Sequence, residues 1–264
     1  FLRDGGEAVI REEVDAPLRF EGHRWHAGHD RWQLKIATGF EKLFVYKEHS
    51  THVGDPHWSP LYKSNNLHVR FQYIDGGGFM EFNNSTVLGN FNNDGFTVFL
   101  DDIGSHDYVF ISFDLYIHGS WDGNSNGFNE NDKPDKWVME FKPDMNLFKD
   151  PSSHNFTTTF SNSQCWPNYC LKQSYPESYP FLNNPKTGSF KNNLSKLCPN
   201  SFFGGKTSLY QIEKGFKSSG NSIVLRFYDE LYQPNAIDKD GTPQQKCDES
   251  WSLDNLRIRV IKYQ

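Results

Sequence analysis

Apolar and polar side chains alternate along several short segments of this chain, and this period-two pattern constrains the fold more than any other feature. Val109, Ile111, Phe113, Leu115 and Ile117 occupy every second position of one segment. Successive side chains of a β-strand point to opposite faces of the sheet, so the pattern predicts a strand with a buried face. Similar patterns predict strands at 32–36, 43–46, 67–73, 79–82, 96–100, 137–141, 156–160, 223–228 and 256–260.

Short turn sequences separate these segments, as in Asp75-Gly76-Gly77-Gly78 and Asn93-Asp94-Gly95. Many short strands with such turns indicate a β-sandwich or a barrel. The only helical candidate is Glu7 to Val14, which is short and followed by Pro17. Residues 165 to about 206, hereafter the excursion, are rich in proline, asparagine, serine and tyrosine, and we expect an ordered loop pinned by cysteines.

The core must be built largely from rings. Hydrophobic residues make up 36% of the 264 residues, but aromatic residues alone make up 16%. Rings bury large areas, which separates this composition from that of a disordered chain. No apolar run is long enough for a membrane helix. The net charge of −6 and the absence of lysine or arginine blocks argue against nucleic acid as a partner.

The four cysteines allow three pairings, and spacing alone does not choose among them. We favour Cys165–Cys170, a short loop, together with Cys198–Cys247. A zinc site is the alternative, but the spacing fits one poorly. Disulfides are typical of oxidising compartments, so the even cysteine count favours a secreted protein.

Four asparagines begin an Asn-x-Ser/Thr triplet and are candidate glycosylation sites: Asn83, Asn84, Asn155 and Asn193. An asparagine-rich chain contains some triplets by chance, so they add to the cysteine argument without replacing it. The chain begins at Phe1, which we interpret as a processed or trimmed end.

The segment Asp122-Gly123-Asn124-Ser125-Asn126-Gly127 matches the first half of a calcium loop. Oxygens at its first, third and fifth positions can surround one hard cation. The twelfth position is Lys133 instead of glutamate, so Glu130, Asp132 or Asp135 would have to substitute. The alternative is an asparagine–glycine turn between strands without a metal.

A second group of carboxylates precedes the final strand, in Asp248-Glu249 and Asp254-Asn255. The spacing from Leu253 to Leu256 breaks the alternation and predicts a β-bulge at 254–255. A metal ion, or arginines and backbone amides, would satisfy these carboxylates equally well. We predict a calcium site drawn from Asp114, Asp122, Asn124, Asn126, Asp135 and Asp254.

Several of these segments together resemble a module of secreted and cell-surface proteins that is similar to concanavalin-like or carbohydrate-module jelly rolls. The resemblance covers about residues 86–262 and rests on segments 112–117, 120–124, 134–137, 158–162, 173–176, 187–188 and 248–255. It implies a jelly-roll-type antiparallel β-sandwich, all-β, secreted, and stabilised by calcium. Residues 1–85 lie outside the resemblance, and we expect them to complete the sandwich or add a surface within a single domain, 1–264.

No catalytic motif is present in the sequence: it has no Gly-x-Ser-x-Gly, no P-loop and no His-Glu-x-x-His. His23, His26 and His29 recur beside Asp30, but positions three apart lie on opposite faces of a strand, so we interpret them as a polar surface loop instead of a metal site.

The sequence therefore supports a recognition module that binds glycan or a surface partner. A subunit of an extracellular filament or matrix and a glycan-cleaving enzyme are the alternatives. The rings that we expect to be exposed for ligand binding lie in the excursion: Trp166, Tyr169, Tyr175 and Tyr179.

Overall fold

The computed structural model describes residues 78–101, 107–125, 133–142, 154–163, 165, 170–200, 205–219, 222–232 and 245–261, and before residue 78 it describes the strands alone. The strands are β1 (Leu2–Arg3), β2 (Glu7–Ala8), β3 (Leu18–Trp25), β4 (His29–Thr38), β5 (Glu41–Glu48), β6 (Trp58–Ser59), β7 (His68–Tyr73), β8 (Gly78–Phe82), β9 (Ser85–Phe91), β10 (Gly95–Asp101), β11 (Tyr108–Gly119), β12 (Lys136–Lys142), β13 (His154–Thr159), β14 (Lys191–Leu194), β15 (Thr207–Lys217), β16 (Ser222–Glu230) and β17 (Glu249–Ile261). A single turn of helix, α1 (Gln245–Asp248), precedes β17.

All described strand pairs are antiparallel, as predicted. One sheet has the order β13-β12-β16-β10-β7, and a larger sheet has the order β14-β15-β11-β17-β3-β4-β5-β6. The β8–β9 hairpin joins the larger sheet through β9 and β17. The chain is therefore almost entirely β, in a sandwich-like arrangement. No helix among the described residues is long and apolar enough to cross a membrane.

The two sheets bury a common core of rings. Trp137 and Phe227 of the smaller sheet pack against Phe113 and Trp251 of the larger one, with ring centroids 5.4–5.8 Å apart. All four side chains are at most 3% exposed. Fully burying such side chains stabilises the fold by roughly 1.5–3 kcal/mol each. The prediction of an aromatic core is confirmed.

Strand β11 shows why the alternation was informative. Its predicted face, from Val109 to Ile117, is buried in the core. Towards its end the opposite face is buried as well, because the β8–β9 hairpin and β15 cover Tyr116 with Phe82, Val87 and Leu209. This second layer places polar groups of β11 in a closed environment.

Two local predictions have clear outcomes. The bulge near residue 254 is confirmed: the register of β11 and β17 shifts there, and Asn255 has a φ of +53°. Asparagine tolerates this left-handed conformation better than most residues. The helix predicted for Glu7 to Val14 is wrong at its start, because Glu7–Ala8 is strand β2 and pairs with Leu2–Arg3. A two-residue ladder overrides the weak local helix propensity.

Candidate functional site

The turn at Asp122 lies just beyond the end of β11 and holds the excursion. Gly123 has a φ of +70°, and a Cβ there would lie 2.2 Å from the Lys172 carbonyl oxygen, so the position requires glycine. The Asn124 N–H donates to that carbonyl (2.7 Å), and Asn124 Nδ2 donates to the Phe181 carbonyl (2.6 Å). The segment that resembles a calcium loop therefore also fastens the excursion to the sandwich.

The side-chain oxygen of Asn124 is occupied by protein hydroxyls. Thr159 Oγ1 donates to Asn124 Oδ1, and Ser174 Oγ lies 2.9 Å from the same oxygen. The Ser174 N–H in turn donates to Thr159 Oγ1 at 2.7 Å. An amide oxygen has two lone pairs, and both are used here. A cation at Asn124 would have to displace these hydroxyl groups.

Asp135 is buried against the same turn. Its Oδ2 accepts the Asp122 N–H at 2.8 Å, and its own N–H donates to the Gly123 carbonyl at 3.0 Å. Burial, with the charges of Asp122 and Asp248, raises the pKa of Asp135 to about 8, against hydrogen bonds from the Asp122 and Tyr232 backbone. A cation beside this carboxyl would favour its ionised form.

Beyond Asp122 and Asp135, the described residues add no support for a metal centre at this turn. Within the described ranges, no three histidine, cysteine, aspartate or glutamate side chains lie close enough together to hold a metal ion. Asn126 lies outside the described residues, as do Glu130 and Asp132. Calcium at this turn stays a prediction.

Asp114 and Asp254 form a separate pair. They lie opposite each other on β11 and β17, at the bulge. Asp114 accepts hydrogen bonds from Gln211 Nε2 (3.1 Å) and Asn255 Nδ2 (2.7 Å), and Asp254 accepts one from Ser85 Oγ (2.8 Å). Neutral amide and hydroxyl donors therefore satisfy the carboxylates that the sequence places close together here.

The predicted metal ligands therefore fall into two groups. Asp114 precedes Gly119, the end of β11, by five positions, which is roughly 16 Å along a strand. Asp122 and Asp135 lie beyond that end. Calcium–oxygen bonds are about 2.3–2.6 Å long, so one ion cannot contact both groups.

Gln173 is the main organiser of the excursion. Its Nε2 donates to the carbonyls of Tyr175 (3.0 Å) and Thr187 (2.9 Å), and its Oε1 accepts the N–H groups of Ser161 (3.1 Å) and Lys186 (2.8 Å). The side chain is fully buried. One amide thus bonds four backbone groups, and among the described hydrogen bonds it is the only partner of two of them, the Ser161 N–H and the Thr187 carbonyl.

The excursion is also bonded to the edge of β13. The N–H groups of Tyr175 and Tyr179 donate to the carbonyls of Thr159 (3.2 Å) and Thr157 (2.8 Å). Because these bonds continue the ladder of the smaller sheet, the excursion extends the sheet in irregular form. The expectation of an ordered loop is confirmed for residues 170–200.

The segments that carry the sequence resemblance meet at this end of the molecule. Segments 158–162, 173–176 and 187–188 share hydrogen bonds through Gln173. Segments 120–124 and 248–255 are joined by the Ser120 N–H, which donates to the Asp248 carbonyl (2.8 Å). Most members of the pattern therefore have a structural role in positioning the excursion.

The predicted ligand-binding rings have mixed outcomes. The expectation that Tyr175 is exposed is wrong, because its ring is 7% exposed and packs 5.1 Å from both Phe160 and Tyr210. Tyr179 is 36% exposed, with Lys136 Nζ 5.6 Å from its ring centroid. Trp166 and Tyr169 lie outside the described residues.

Three exposed apolar side chains of the excursion were not predicted. Phe181, Leu182 and Phe190 are 51%, 66% and 57% exposed. Their segment has no periodic pattern, so the sequence offered no means of telling exposed from buried rings. Together with Tyr179 they form what we call the apolar ridge.

A buried serine–histidine pair was also missed. Thr207 Oγ1 donates to the Ser195 carbonyl (2.9 Å), so it accepts from His118 Nδ1 (3.0 Å), and His118 Nε2 accepts the Ser252 hydroxyl (2.7 Å). Burial lowers the pKa of His118 to about 3. A serine bonded to a histidine resembles an activated nucleophile. Both side chains are enclosed in the fold, at 1% and 0% exposure, so this pair does not meet a substrate.

The cysteines and glycosylation acceptors are well placed for a secreted chain. Cys165–Cys170 and Cys198–Cys247 are disulfides, the pairing that we favoured, so their thiolates do not bind zinc. The four triplet asparagines are exposed: Asn83 and Asn84 in the β8–β9 turn, Asn155 on β13 and Asn193 on β14. For the histidines of the N-terminal part, His23 lies in β3 and His29 begins β4, whereas His26 lies outside the described residues.

No protein-family model, curated protein sequence or solved structure matches the chain.

Proposed function

We propose that the chain is a secreted recognition module that binds extracellular glycan on the apolar ridge. The observation that carries this proposal is the presence of four exposed apolar side chains in an excursion whose backbone is held by hydrogen bonds. Large apolar residues exposed together usually mark an interaction surface. Aromatic rings suit the apolar faces of sugars, and tyrosine adds a polar group.

Preorganisation supports the same conclusion. A flexible loop that binds a ligand loses conformational entropy, which lowers its affinity. Gln173 and Asn124 already hold the excursion in one conformation, so little ordering is left for the binding step.

A secreted setting is supported by the two disulfides and by the exposure of the four candidate glycosylation sites. The antiparallel sheets are compatible with a jelly roll of the kind that the sequence resemblance implies. Calcium is the cation that we propose for the Asp122 turn, with Asp122 and Asp135 as ligands.

Calcium binding is tested by thermal unfolding with and without a chelator. Binding to the native state alone should raise the melting temperature in proportion to the logarithm of calcium concentration. The variant Asp122→Asn should weaken this response, while Asp114→Asn, in the other carboxylate group, should leave it unchanged. A melting temperature that does not respond to calcium would remove the metal from the proposal.

The glycan proposal is tested by screening immobilised glycans with wild type and with Phe181→Ser/Leu182→Ser. We expect binding by the wild type and a loss of at least tenfold in the double variant. Tyr108→Ala changes a half-buried ring at the other end of β11 and serves as the control. A negative screen combined with self-association of the wild type would favour the matrix-subunit alternative. Release of products from a glycan would favour an enzyme.

A further inference from the structure

Charge is distributed unevenly between the excursion and the remainder of the chain. Residues 165–206 contain five lysines, one glutamate, no aspartate and no arginine, a net charge of +4 in a chain of −6. The other residues therefore carry an excess of negative charge. A basic surface on an acidic protein attracts anions to that surface, although the net negative charge of the molecule does not favour anion binding elsewhere.

Three of these lysines lie near one exposed ring of the apolar ridge. Phe190 donates its N–H to the Leu209 carbonyl (2.8 Å), which places it beside the start of β15 and Lys206. Lys191 Nζ lies 5.5 Å from the centroid of the Phe190 ring. Partial burial lowers the pKa of Lys186, and the nearby charge of Lys206 lowers it further.

These lysines lack the carboxylate partners that other lysines have. Lys136 pairs with Glu230 at 3.4 Å. In the part of the chain that the structure describes, Lys186, Lys191 and Lys206 have no carboxylate within 4.0 Å; Lys186 Nζ lies instead 3.5 Å from the amide oxygen of Asn193. Cations that repel one another without a counter-charge leave a site for an anion.

The backbone at Lys186 supports a role for its side chain. Lys186 has a φ of +63°, a conformation in which glycine or asparagine is more stable. Its N–H is held by Gln173 Oε1 (2.8 Å), so the conformation follows from the fold of the excursion. Residues in such conformations concentrate at functional sites.

We propose that the ligand of this surface is an anionic glycan, sulfated or rich in uronic acid. Its acidic groups bind Lys186, Lys191 and Lys206, and a sugar face rests on Phe190. This inference rests on the proposed glycan-binding function and specifies the class of glycan. Lysine ammonium groups suit dispersed sulfate and carboxylate groups, and the net charge of −6 disfavours nucleic acid, whose phosphate backbone the acidic remainder of the chain would repel.

The test compares four immobilised ligands at low and high salt: a sulfated polysaccharide, the same polysaccharide after chemical desulfation, a polyuronate and a neutral glucan. We expect the sulfated polysaccharide and the polyuronate to bind at least tenfold more tightly than the other two. We also expect their affinity to fall several-fold between about 50 and 300 mM salt, since exposed charges are screened.

The variant Lys186→Asn/Lys206→Gln should lower affinity for the sulfated polysaccharide about tenfold. Its melting temperature should be unchanged or higher, because asparagine is more stable than lysine at position 186. A pair with the same change of charge provides the control: Lys214→Asn/Lys217→Gln, on the part of β15 that is distant from Lys206. The melting temperature of this control is measured with its affinity, because Lys214 Nζ lies 3.6 Å from the centroid of the Phe156 ring. Lys217 and Thr207 are ten positions apart, roughly 33 Å along the strand.

Different outcomes overturn different parts of the argument. Tighter binding of the neutral glucan than of the sulfated polysaccharide overturns the anionic class but keeps the proposed glycan-binding function. An equal loss of affinity in the control pair would contradict a binding site around Phe190, because it would show that affinity follows the net charge of the protein. Failure to bind any of the four ligands overturns both proposals. Tighter binding of single-stranded DNA of equal length would identify nucleic acid as the ligand and would also overturn both.

Discussion

The ring core and the excursion are ordered by different interactions. In the core, many apolar side chains of strands β11, β12, β16 and β17 contribute together, and alternation along the strands decides which of them are buried. In the excursion, Gln173, Asn124 and a few hydroxyls hold the backbone through hydrogen bonds. The order of the core is therefore shared among many side chains, whereas the order of the excursion depends on a few single side chains.

The largest effect should come from the core. Trp251 is fully buried, packs 4.6 Å from Phe91 and donates from Nε1 to Asp229 Oδ1 at 2.8 Å. We expect Trp251→Ala to lower the free energy of unfolding by about 3–5 kcal/mol, measured by chemical denaturation. Trp251→Phe keeps most of the packing and should cost clearly less. Equal costs would mean that the hydrogen bond, and not the ring, stabilises this part of the core.

The next effect should be local. Gln173→Leu has a similar volume but leaves the Ser161 N–H and the Thr187 carbonyl without the partner that Gln173 provides, which we expect to cost about 2–4 kcal/mol. Limited proteolysis should detect cleavage within residues 171–190 before global unfolding. Gln211→Leu, an exposed glutamine of β15 bonded to Asp114, should change stability by less than about 0.5 kcal/mol. Cleavage spread over the whole Gln173→Leu chain would show that the two regions unfold as one unit.

Stability should depend on pH through His118, a buried side chain of the fold that is held by hydrogen bonds, as Gln173 is in the excursion. Its folded pKa of about 3 lies below the value of 6.5 expected for the unfolded chain. The neutral ring therefore contributes stability above pH 6.5, and this contribution is lost as the pH falls from 6.5 towards 3. The difference in stability between wild type and His118→Gln should shrink by up to about 1.4 kcal/mol per pH unit in this window.

The difference between the two proteins must be measured because a buried carboxyl acts in the opposite direction. Burial raises the pKa of Asp229 to about 7, so its contribution is present at low pH and is lost as the pH rises through 7. His154→Gln, on the exposed start of β13, is the matched control. A difference between wild type and His118→Gln that is constant from pH 7 to 4 would contradict a buried, neutral His118.

The same contrast explains what the sequence could predict. Alternation identified ten of the strands, the ring core and the bulge at residue 254, because burial on one face repeats every second residue, but it missed strands such as β3, β9 and β15. It could not separate Tyr175 from Tyr179: both precede a proline in the same irregular segment, and only the position of Gln173 turns one ring inward. The sequence marked the Asp122 turn as unusual. It could not predict the contacts of this turn with Lys172 and Phe181, because those residues are distant in sequence and follow no periodic pattern.

The smallest effect should lie where the two regions meet on the surface. Lys136 of β12 pairs with Glu230 (3.4 Å) and extends over the Tyr179 ring of the excursion. Exposed ion pairs contribute about 0–1 kcal/mol and are screened by salt. We expect Lys136→Gln to lower stability by less than about 0.5 kcal/mol in low salt and by nothing measurable at 0.5 M salt. A larger, salt-independent loss would show that the Tyr179 contact, and not only the backbone bonds along β13, joins the excursion to the sandwich.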